Sequence, residues 1–179
     1  MQNSIIMPYK GILPTINDSV YLAPSATIIG DVHIGAESSI WHQVTIRGDV
    51  NYIRIGERTN VQDGSVIHVS RTTGGQTIIG NDITIGHMAL IHACELQDHS
   101  FVGMKAMVMD NAVIESYGML AAGGVLTGGK VIRSRELWMG TPARFVRHMS
   151  DEEVEKMGEN AKEYRHVSRR YMAQGIATE

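Results

Sequence analysis

Three of the eight histidines in this 179-residue chain lie close together in the sequence, at positions 68, 87 and 92. His68 and His92 each directly follow an isoleucine, and 24 positions separate them. Neutral imidazole nitrogens are common ligands of Zn²⁺. A lone histidine in a turn is more often a surface residue than a ligand. Whether His68 and His92 can share a metal ion therefore depends on where their spacing places them in the fold.

Polar residues precede the first of these histidines in two short runs. Arg47 and Asp49 lie in one run, and Asn60, Gln62 and Asp63 lie in the other. Alternation along the second run predicts that Asn60 and Gln62 face the outer surface. Turn formation accounts for the two aspartates and Asn60, but less well for Arg47 and Gln62. A polar cluster beside a histidine pair is what a metal site needs around its ligands.

A six-residue repeat predicts the elements that position these side chains. A period of six fits neither an α-helix nor a simple alternating strand, but it fits coils of short strands that each point one aliphatic residue inward. Such a core is narrow, in keeping with only two Phe and two Trp in the chain. The phase slips by three after Ile46 and loses one residue before Leu96. The recurring aliphatic residues are Leu22, Ile28, Ile34, Ile40, Ile46, Ile55, Val61, Ile67, Ile79, Ile85, Ile91, Leu96, Val102, Val108, Ile114, Leu120, Leu126 and Ile132.

The repeat resembles that of the hexapeptide-repeat proteins, whose fold is a left-handed parallel β-helix of triangular cross-section. In that family three six-residue sides form one 18-residue coil. The resemblance implies a mainly β fold with about seven coils over residues 16–141. We expect a β-helix domain with a short N-terminal lead-in over residues 1–148.

The C-terminal segment has a different pattern. Ser150 followed three positions later by Glu153 is a capping-box pattern, and apolar residues then recur at helical spacing. We predict one amphipathic helix over 151–172 that packs on the β-helix, with fraying from Gly175 onward. Residues 149–179 thus form a C-terminal helix and tail.

The repeat also relates the three histidines to one another. The spacing of 24 equals one 18-residue coil plus six, and the segment 70–75 accounts for the extra six as an extruded loop. His68 and His92 then occupy equivalent turns on neighbouring coils, about 4.8 Å apart, close enough to share one metal ion. His87 lies one side of the coil away, at a different corner. It can join the same ion only if a second chain supplies the other two ligands.

The runs RGDV, NVQDGSVIH and IGHMALIH are similar to those of the γ-class carbonic anhydrases, and the similarity extends over essentially the whole chain. The resemblance implies a homotrimer in which zinc lies between subunits, with His68 and His92 from one chain and His87 from the next. Fe²⁺ or Co²⁺ are possible alternatives to zinc. The resemblance also implies roles for six other residues. Gln62 orients the attacking hydroxide, and Arg47 and Asp63 pair near the subunit interface. Asn60 and Asp49 complete the polar network, and Tyr164 on the C-terminal helix is a further candidate.

The implied reaction is the reversible hydration of CO₂ to bicarbonate. Two features of this chain differ from active members of the family. Val50 stands where an acid often follows RGD, and the segment 69–76 contains no carboxylate. We therefore expect slow hydration that is limited by proton release, and whether the chain is an enzyme stays open.

Two other functions compete with this interpretation. A hexapeptide acyltransferase uses one histidine between subunits as a general base, but it leaves the NVQD run unexplained. A binding protein that keeps the metal without turnover is the second alternative.

Composition narrows the remaining classes. A net charge of −3 provides no basic field that would attract nucleic acid. The sequence also contains no apolar run of 18 residues, the length that would predict a membrane span. The single cysteine, Cys94, cannot form an internal disulfide, and the N-terminus lacks a signal-peptide pattern. We expect a cytoplasmic protein.

Overall fold

The computed structural model describes residues 4–174 and has twenty short β-strands followed by one α-helix. The expected fraying from Gly175 onward lies outside the described residues. All strand pairs are parallel except the last, β19 with β20. The elements are β1 Ile5–Met7, β2 Thr15–Ile16, β3 Tyr21–Leu22, β4 Thr27–Ile34, β5 Ser39–Ile40, β6 Thr45–Ile55, β7 Asn60–Val61, β8 Val66–His68, β9 Thr77–Ile79, β10 Thr84–Ile85, β11 Leu90–His92, β12 Glu95–Leu96, β13 Phe101–Val102, β14 Met107–Val108, β15 Val113–Ile114, β16 Met119–Leu120, β17 Val125–Leu126, β18 Val131–Ile132, β19 Glu136–Gly140, β20 Ala143–His148 and α1 Asp151–Ala173.

Each coil contributes one strand to each of three sides. The first side contains β1, β8, β11, β14 and β17, and the second contains β2, β9, β12, β15 and β18. The long strands β4 and β6 pass from the first side to the second and join both into one 12-stranded sheet. The third side is a separate 8-stranded sheet from β3 to β20.

The core lies inside the coils, where the six-residue repeat predicts it. Every aliphatic residue of the repeat is buried, and none exceeds the 6% exposure of Leu22. The mainly β fold class, a parallel β-helix of hexapeptide repeats with a C-terminal α-helix, is confirmed. Cys94 is buried in the same core, and burial raises the pKa of its thiol, so it is a packing residue.

The slip of three residues after Ile46 is an insertion at the corner between the first two sides. Gly30 of β4 pairs with Gly48 of β6, and the next paired residues are Val32 and Ile53. One residue of β4 therefore spans the corner where β6 uses four. A glycine is required here because a Cβ on Gly30 would lie 2.2 Å from the carbonyl oxygen of Gly48. The insertion places Asp49 at the corner.

Helix α1 packs on the third side. It runs from the last coil back toward the first, opposite to the direction in which the chain passes from coil to coil. The side-chain hydroxyl of Ser150 accepts from the backbone N–H of Glu153, and the Glu153 carboxylate accepts from the Ser150 N–H, so the predicted capping box is present. At its start Asp151 contacts Arg135 of the last coil, and near its end Arg169 contacts Glu37 of an early coil. The observed helix ends one residue beyond the predicted 172.

The antiparallel hairpin of β19 and β20 ends the coil stack before the helix begins.

Within residues 4–174, no helix is both long and apolar enough to cross a membrane.

Candidate metal centre

His68 and His92 lie one above the other at the corner between the first and second sides. Their strands β8 and β11 pair in parallel, and the two histidines are partners in that register, as the repeat predicts. Segment 70–75 between them loops out, and Ser70 and Gly75 close its base with a backbone hydrogen bond of 2.7 Å. His68 Nδ1 lies 3.2 Å from His92 Nε2. Two nitrogens bound to one tetrahedral zinc ion are about 3.4 Å apart, so the separation of this hydrogen-bonded pair matches that of two zinc ligands.

Each of the three candidate ligands presents its other ring nitrogen to a carboxylate. His68 Nε2 is 3.1 Å from Asp49, and His92 Nδ1 is 2.6 Å from Asp110. At the other corner, His87 Nδ1 is 2.9 Å from the carboxylate of Asp63. A carboxylate behind each imidazole fixes the ring and raises the basicity of the nitrogen left for the metal. The donor set therefore suits a divalent cation held by neutral imidazoles.

Asp110 is a site residue that the sequence reasoning missed. It lies 18 positions after His92, one coil further along the same corner, and contacts it from there. Continuing the repeat by one coil beyond His92 reaches Met109 and Asp110. The period therefore reaches Asp110, although this residue lies outside the three runs that carry the resemblance.

Burial of His68 and the hydrogen bonds to Asp49 favour a neutral imidazole beside an ionised carboxylate. Burial lowers the pKa of His68, and this outweighs the hydrogen bond to Asp49. Burial alone would raise the pKa of Asp49, but hydrogen bonds from Arg47 and His68 hold it below its usual range. A neutral imidazole is the form that binds a metal ion.

His87 lies at the corner between the third side and the first, away from the other two histidines, as predicted. Within residues 4–174, one chain does not bring three potential His, Cys, Asp or Glu ligands together. The Tyr164 hydroxyl of α1 lies 3.4 Å from His87 Nε2, the nitrogen that faces away from Asp63. Tyr164 therefore contacts a candidate metal ligand, a contact that the six-residue repeat could not predict. Burial raises the pKa of Tyr164, and the charge of Asp63 adds to the rise.

Asn60 and Gln62 point away from the core around the inward Val61, as the alternation predicts, but they are not exposed to solvent. Their exposures are 2% and 4%, because α1 covers the third side of the coils. A chain of hydrogen bonds links them to the helix: Gln62 Nε2 donates to Asn60, Asn60 donates to Thr84, and the Thr84 hydroxyl donates to Asn160 of α1, with lengths of 3.0, 2.9 and 3.1 Å. This chain holds the amide of Gln62 in one orientation and leaves its Oε1 to accept a hydrogen bond.

The remaining predicted residues have partners within one chain. Arg47 contacts Asp49, the carboxylate behind His68. A pair between Arg47 and Asp63 of different subunits stays a prediction. Val50 packs against the core, and residues 71–74 of the extruded loop are exposed.

Comparisons with known proteins identify close relatives, although no family model matches the chain. Gamma carbonic anhydrase 1, mitochondrial, of Arabidopsis thaliana is 42% identical over 165 residues, which are 90% of this chain. The chain spans 60% of that relative's length. Protein YrdA of Escherichia coli is 35% identical over an alignment of 182 positions, which covers 99% of each chain. Among solved structures, a hexapeptide transferase family protein from Anaplasma phagocytophilum is 46% identical with a TM-score of 0.90, over 93% of this chain and 98% of that one.

Proposed function

The chain belongs to the γ-carbonic anhydrase-like family of hexapeptide-repeat proteins, and from this premise we propose that it catalyses the reversible hydration of CO₂ to bicarbonate, slowly, at a zinc site shared between subunits of a homotrimer. The observation that carries the proposal is the carboxylate behind each of His68, His87 and His92. Surface histidines have no need of such partners, whereas metal ligands almost always have them.

The three imidazoles would hold the ion through the nitrogens that face away from Asp49, Asp63 and Asp110. When bound, a divalent cation supplies the Lewis acidity that makes water a nucleophile near neutral pH. Three neutral ligands leave the full positive charge of the ion in place, which favours this activation. The aspartates hold the imidazoles in the required tautomer and orientation.

Gln62 is the residue assigned to orient the nucleophile. Its Nε2 is occupied by Asn60, so its Oε1 can accept the nucleophile's proton in a hydrogen bond and aim an oxygen lone pair at CO₂. Asn60, Thr84 and Asn160 act as positioning residues, since they hold that amide and do not touch the reactants. Tyr164 lies close enough to His87 to contact a reactant beside it.

Each hydration releases one proton, and the two positions where active relatives of the family often carry an acid have none in this chain. Val50 packs against the core, and the exposed loop after His68 has no carboxylate. A group that titrates near the working pH is required for rapid proton export. Proton release is therefore the slow step of the proposed reaction.

An exposed apolar surface supports the proposed trimer. Val66 and Met107 lie on the first side, and Met88 and Met104 lie at its corner with the third side. Their exposures range from 38% for Val66 to 60% for Met88. This surface connects the corner of His87 with the corner of His68 and His92. A neighbour that buries it brings unlike corners of two chains together.

The decisive experiment measures metal content and hydration on the same sample. Protein purified without chelators should contain about one zinc per subunit. Stopped-flow hydration of CO₂ should then scale with zinc content as the metal is removed and restored. Full zinc occupancy without hydration would instead support the metal-binding alternative.

The relative named a hexapeptide transferase family protein keeps acyl transfer as the second candidate. That function needs only one histidine as a general base and leaves the carboxylates behind the other two without a role. Acyl transfer from acetyl-CoA that survives complete metal removal would favour it over hydration.

A further inference from the structure

Thr77 places a hydroxyl at a core position where other coils have small or aliphatic side chains. This position lies two residues before the inward aliphatic residue of the second side. In four other coils it is occupied by Val32, Ile53, Cys94 or Ala112, all of them buried. Thr77 is 0% exposed and pairs directly with Ile53 in the sheet. A buried hydroxyl is unfavourable unless it is hydrogen-bonded, so its partner is informative.

The partner of the Thr77 hydroxyl is the backbone of a candidate metal ligand. Thr77 Oγ1 donates to the carbonyl oxygen of His68, at 2.6 Å. The same oxygen accepts a second hydrogen bond from the backbone N–H of Ala93 on the next coil, at 3.1 Å. Together the two bonds fix the peptide unit that follows His68, and with it the Cα from which the imidazole projects.

His68 depends on this support because its coil is interrupted directly after it. Residues 69–76 separate β8 from β9, whereas only Ala93 and Cys94 separate β11 from β12. His92 is therefore followed by an ordinary corner of the stack. His68 is followed by the extruded loop, and Thr77 is the residue at which the chain returns to the coil.

A second side chain supports the same segment from the preceding coil. Asn51 Nδ2 donates to the carbonyl oxygen of Ser70, at 3.2 Å. Asn51 belongs to the corner insertion that carries Asp49, the carboxylate behind His68. Asp49 thus holds the ring of His68, and Thr77 holds its backbone.

We propose that Thr77 is a positioning residue of the metal centre, whose hydroxyl holds the backbone of His68 at the point where the coil is interrupted. It touches neither the ion nor the reactants and acts only through His68. This role rests on the proposed function, because it requires that His68 bind a metal ion. It also explains why a hydroxyl is present at a position that valine would fill equally well.

Zinc affinity, measured by competition with a chelator, tests the role. Thr77→Val keeps the shape of the side chain without its hydroxyl and should weaken zinc binding about 10-fold, the lower end of the range for residues that support a ligand. Thr77→Ser keeps the hydroxyl and should bind zinc like the wild type. Thr59→Val is the matched control, because Thr59 is also 0% exposed and donates to the carbonyl oxygen of Gly80, at 2.8 Å, away from the histidines. Its zinc affinity should be unchanged.

Cobalt substitution adds a readout of ligand geometry that general stability does not move. The visible absorption spectrum of the Co²⁺-loaded protein should change in Thr77→Val and stay as in the wild type in Thr77→Ser and Thr59→Val. Circular dichroism of the metal-free chains shows whether each variant is folded. If Thr77→Val does not fold, Thr77→Ala, which matches Ala112 at the equivalent position, replaces it in both measurements.

The outcomes separate this role from the proposed function. Wild-type zinc affinity and an unchanged cobalt spectrum in Thr77→Val would overturn the role of Thr77 alone. Equal losses of zinc affinity in Thr77→Val and Thr59→Val would also overturn it, since the effect would then be one of general packing. A wild-type chain that binds no zinc would overturn the proposed function together with it.

Discussion

His68 Nδ1 and His92 Nε2 face each other across adjacent coils at 3.2 Å, although 24 residues separate them in the chain. Their strands are in register, and the intervening loop projects outward without disturbing the stack. A metal bound to both nitrogens would link two coils of one chain, and His87 would add the link to a neighbour.

The carboxylate of Asp110 provides the first test. Asp110→Asn removes the charge behind His92 and should lower zinc affinity about 10- to 100-fold, because the ring loses its fixed orientation and part of its basicity. Competition with a zinc chelator measures the affinity. Asp18→Asn, an exposed aspartate far from the site, is the matched control. Equal zinc affinity in Asp110→Asn and Asp18→Asn would remove Asp110 from the site.

Sharing of the metal between subunits predicts complementation. His68→Ala and His87→Ala should each lose zinc when they are expressed alone. When both variants are co-expressed and mix at random, about one quarter of the sites in the trimers should regain all three histidines. Zinc content per subunit measures the recovery. A site built within one chain would show no recovery, and light scattering that finds a monomer would exclude the shared site.

The role of Gln62 can be separated from ligation. Gln62→Ala should keep its zinc. Its kcat/KM for hydration should fall, because about 2–4 kcal/mol of transition-state stabilisation is lost. Asn160→Ala should lower kcat/KM in the same direction by less, since it reaches Gln62 only through Asn60 and Thr84. Zinc loss in Gln62→Ala as complete as in His68→Ala would make Gln62 a ligand, contrary to this assignment.

Slow proton release makes hydration sensitive to buffer. Added imidazole should raise kcat and leave kcat/KM for CO₂ nearly unchanged, because only the step after chemistry is relieved. Val50→Glu should act in the same direction, while Val131→Glu, on the second side, should not. Rapid hydration of CO₂ in a solution without buffering capacity would show that another group carries the proton.

The N-terminal cap of α1 should make the helix sensitive to acid. The hydrogen bond from Arg147, together with that from the Ser150 backbone, lowers the pKa of Glu153 from 4.5 to about 2. A carboxyl with a depressed pKa stabilises the fold above its unfolded pKa, and this contribution disappears as the pH falls from about 4 through about 2. Thermal melting followed by circular dichroism should show this loss in the wild-type chain. Glu153→Gln should reduce the pH dependence in that window, whereas Glu155→Gln should preserve it.

The sequence was sufficient to predict the coils because each inward residue is determined by its own six-residue unit. The unbroken series from Leu96 to Ile132 predicts the stack, and the same period predicts that His68 and His92 meet. What covers the coils depends on contacts between distant segments, which no local period encodes. The burial of Asn60 and Gln62 and the approach of Tyr164 to His87 both follow from the docking of α1. Asp110 was within reach of the period, but only if the corner of His68 and His92 was followed to the next coil.

Because α1 runs back along the coils, the number of coils determines which coil each side chain of the helix contacts. From Asp151, which contacts Arg135 beside β19, the helix rises about 20 Å to Tyr164. This equals about four coil spacings, the number of steps along the third side from β19 through β16, β13 and β10 to β7, the strand that precedes Asp63. Inserting one coil between β10 and β19 would carry the helix start away from the histidines by one step and leave Tyr164 a coil short of His87. Variation in coil number is therefore coupled to helix length, and a duplicated coil would need roughly three added helical residues to restore the contact.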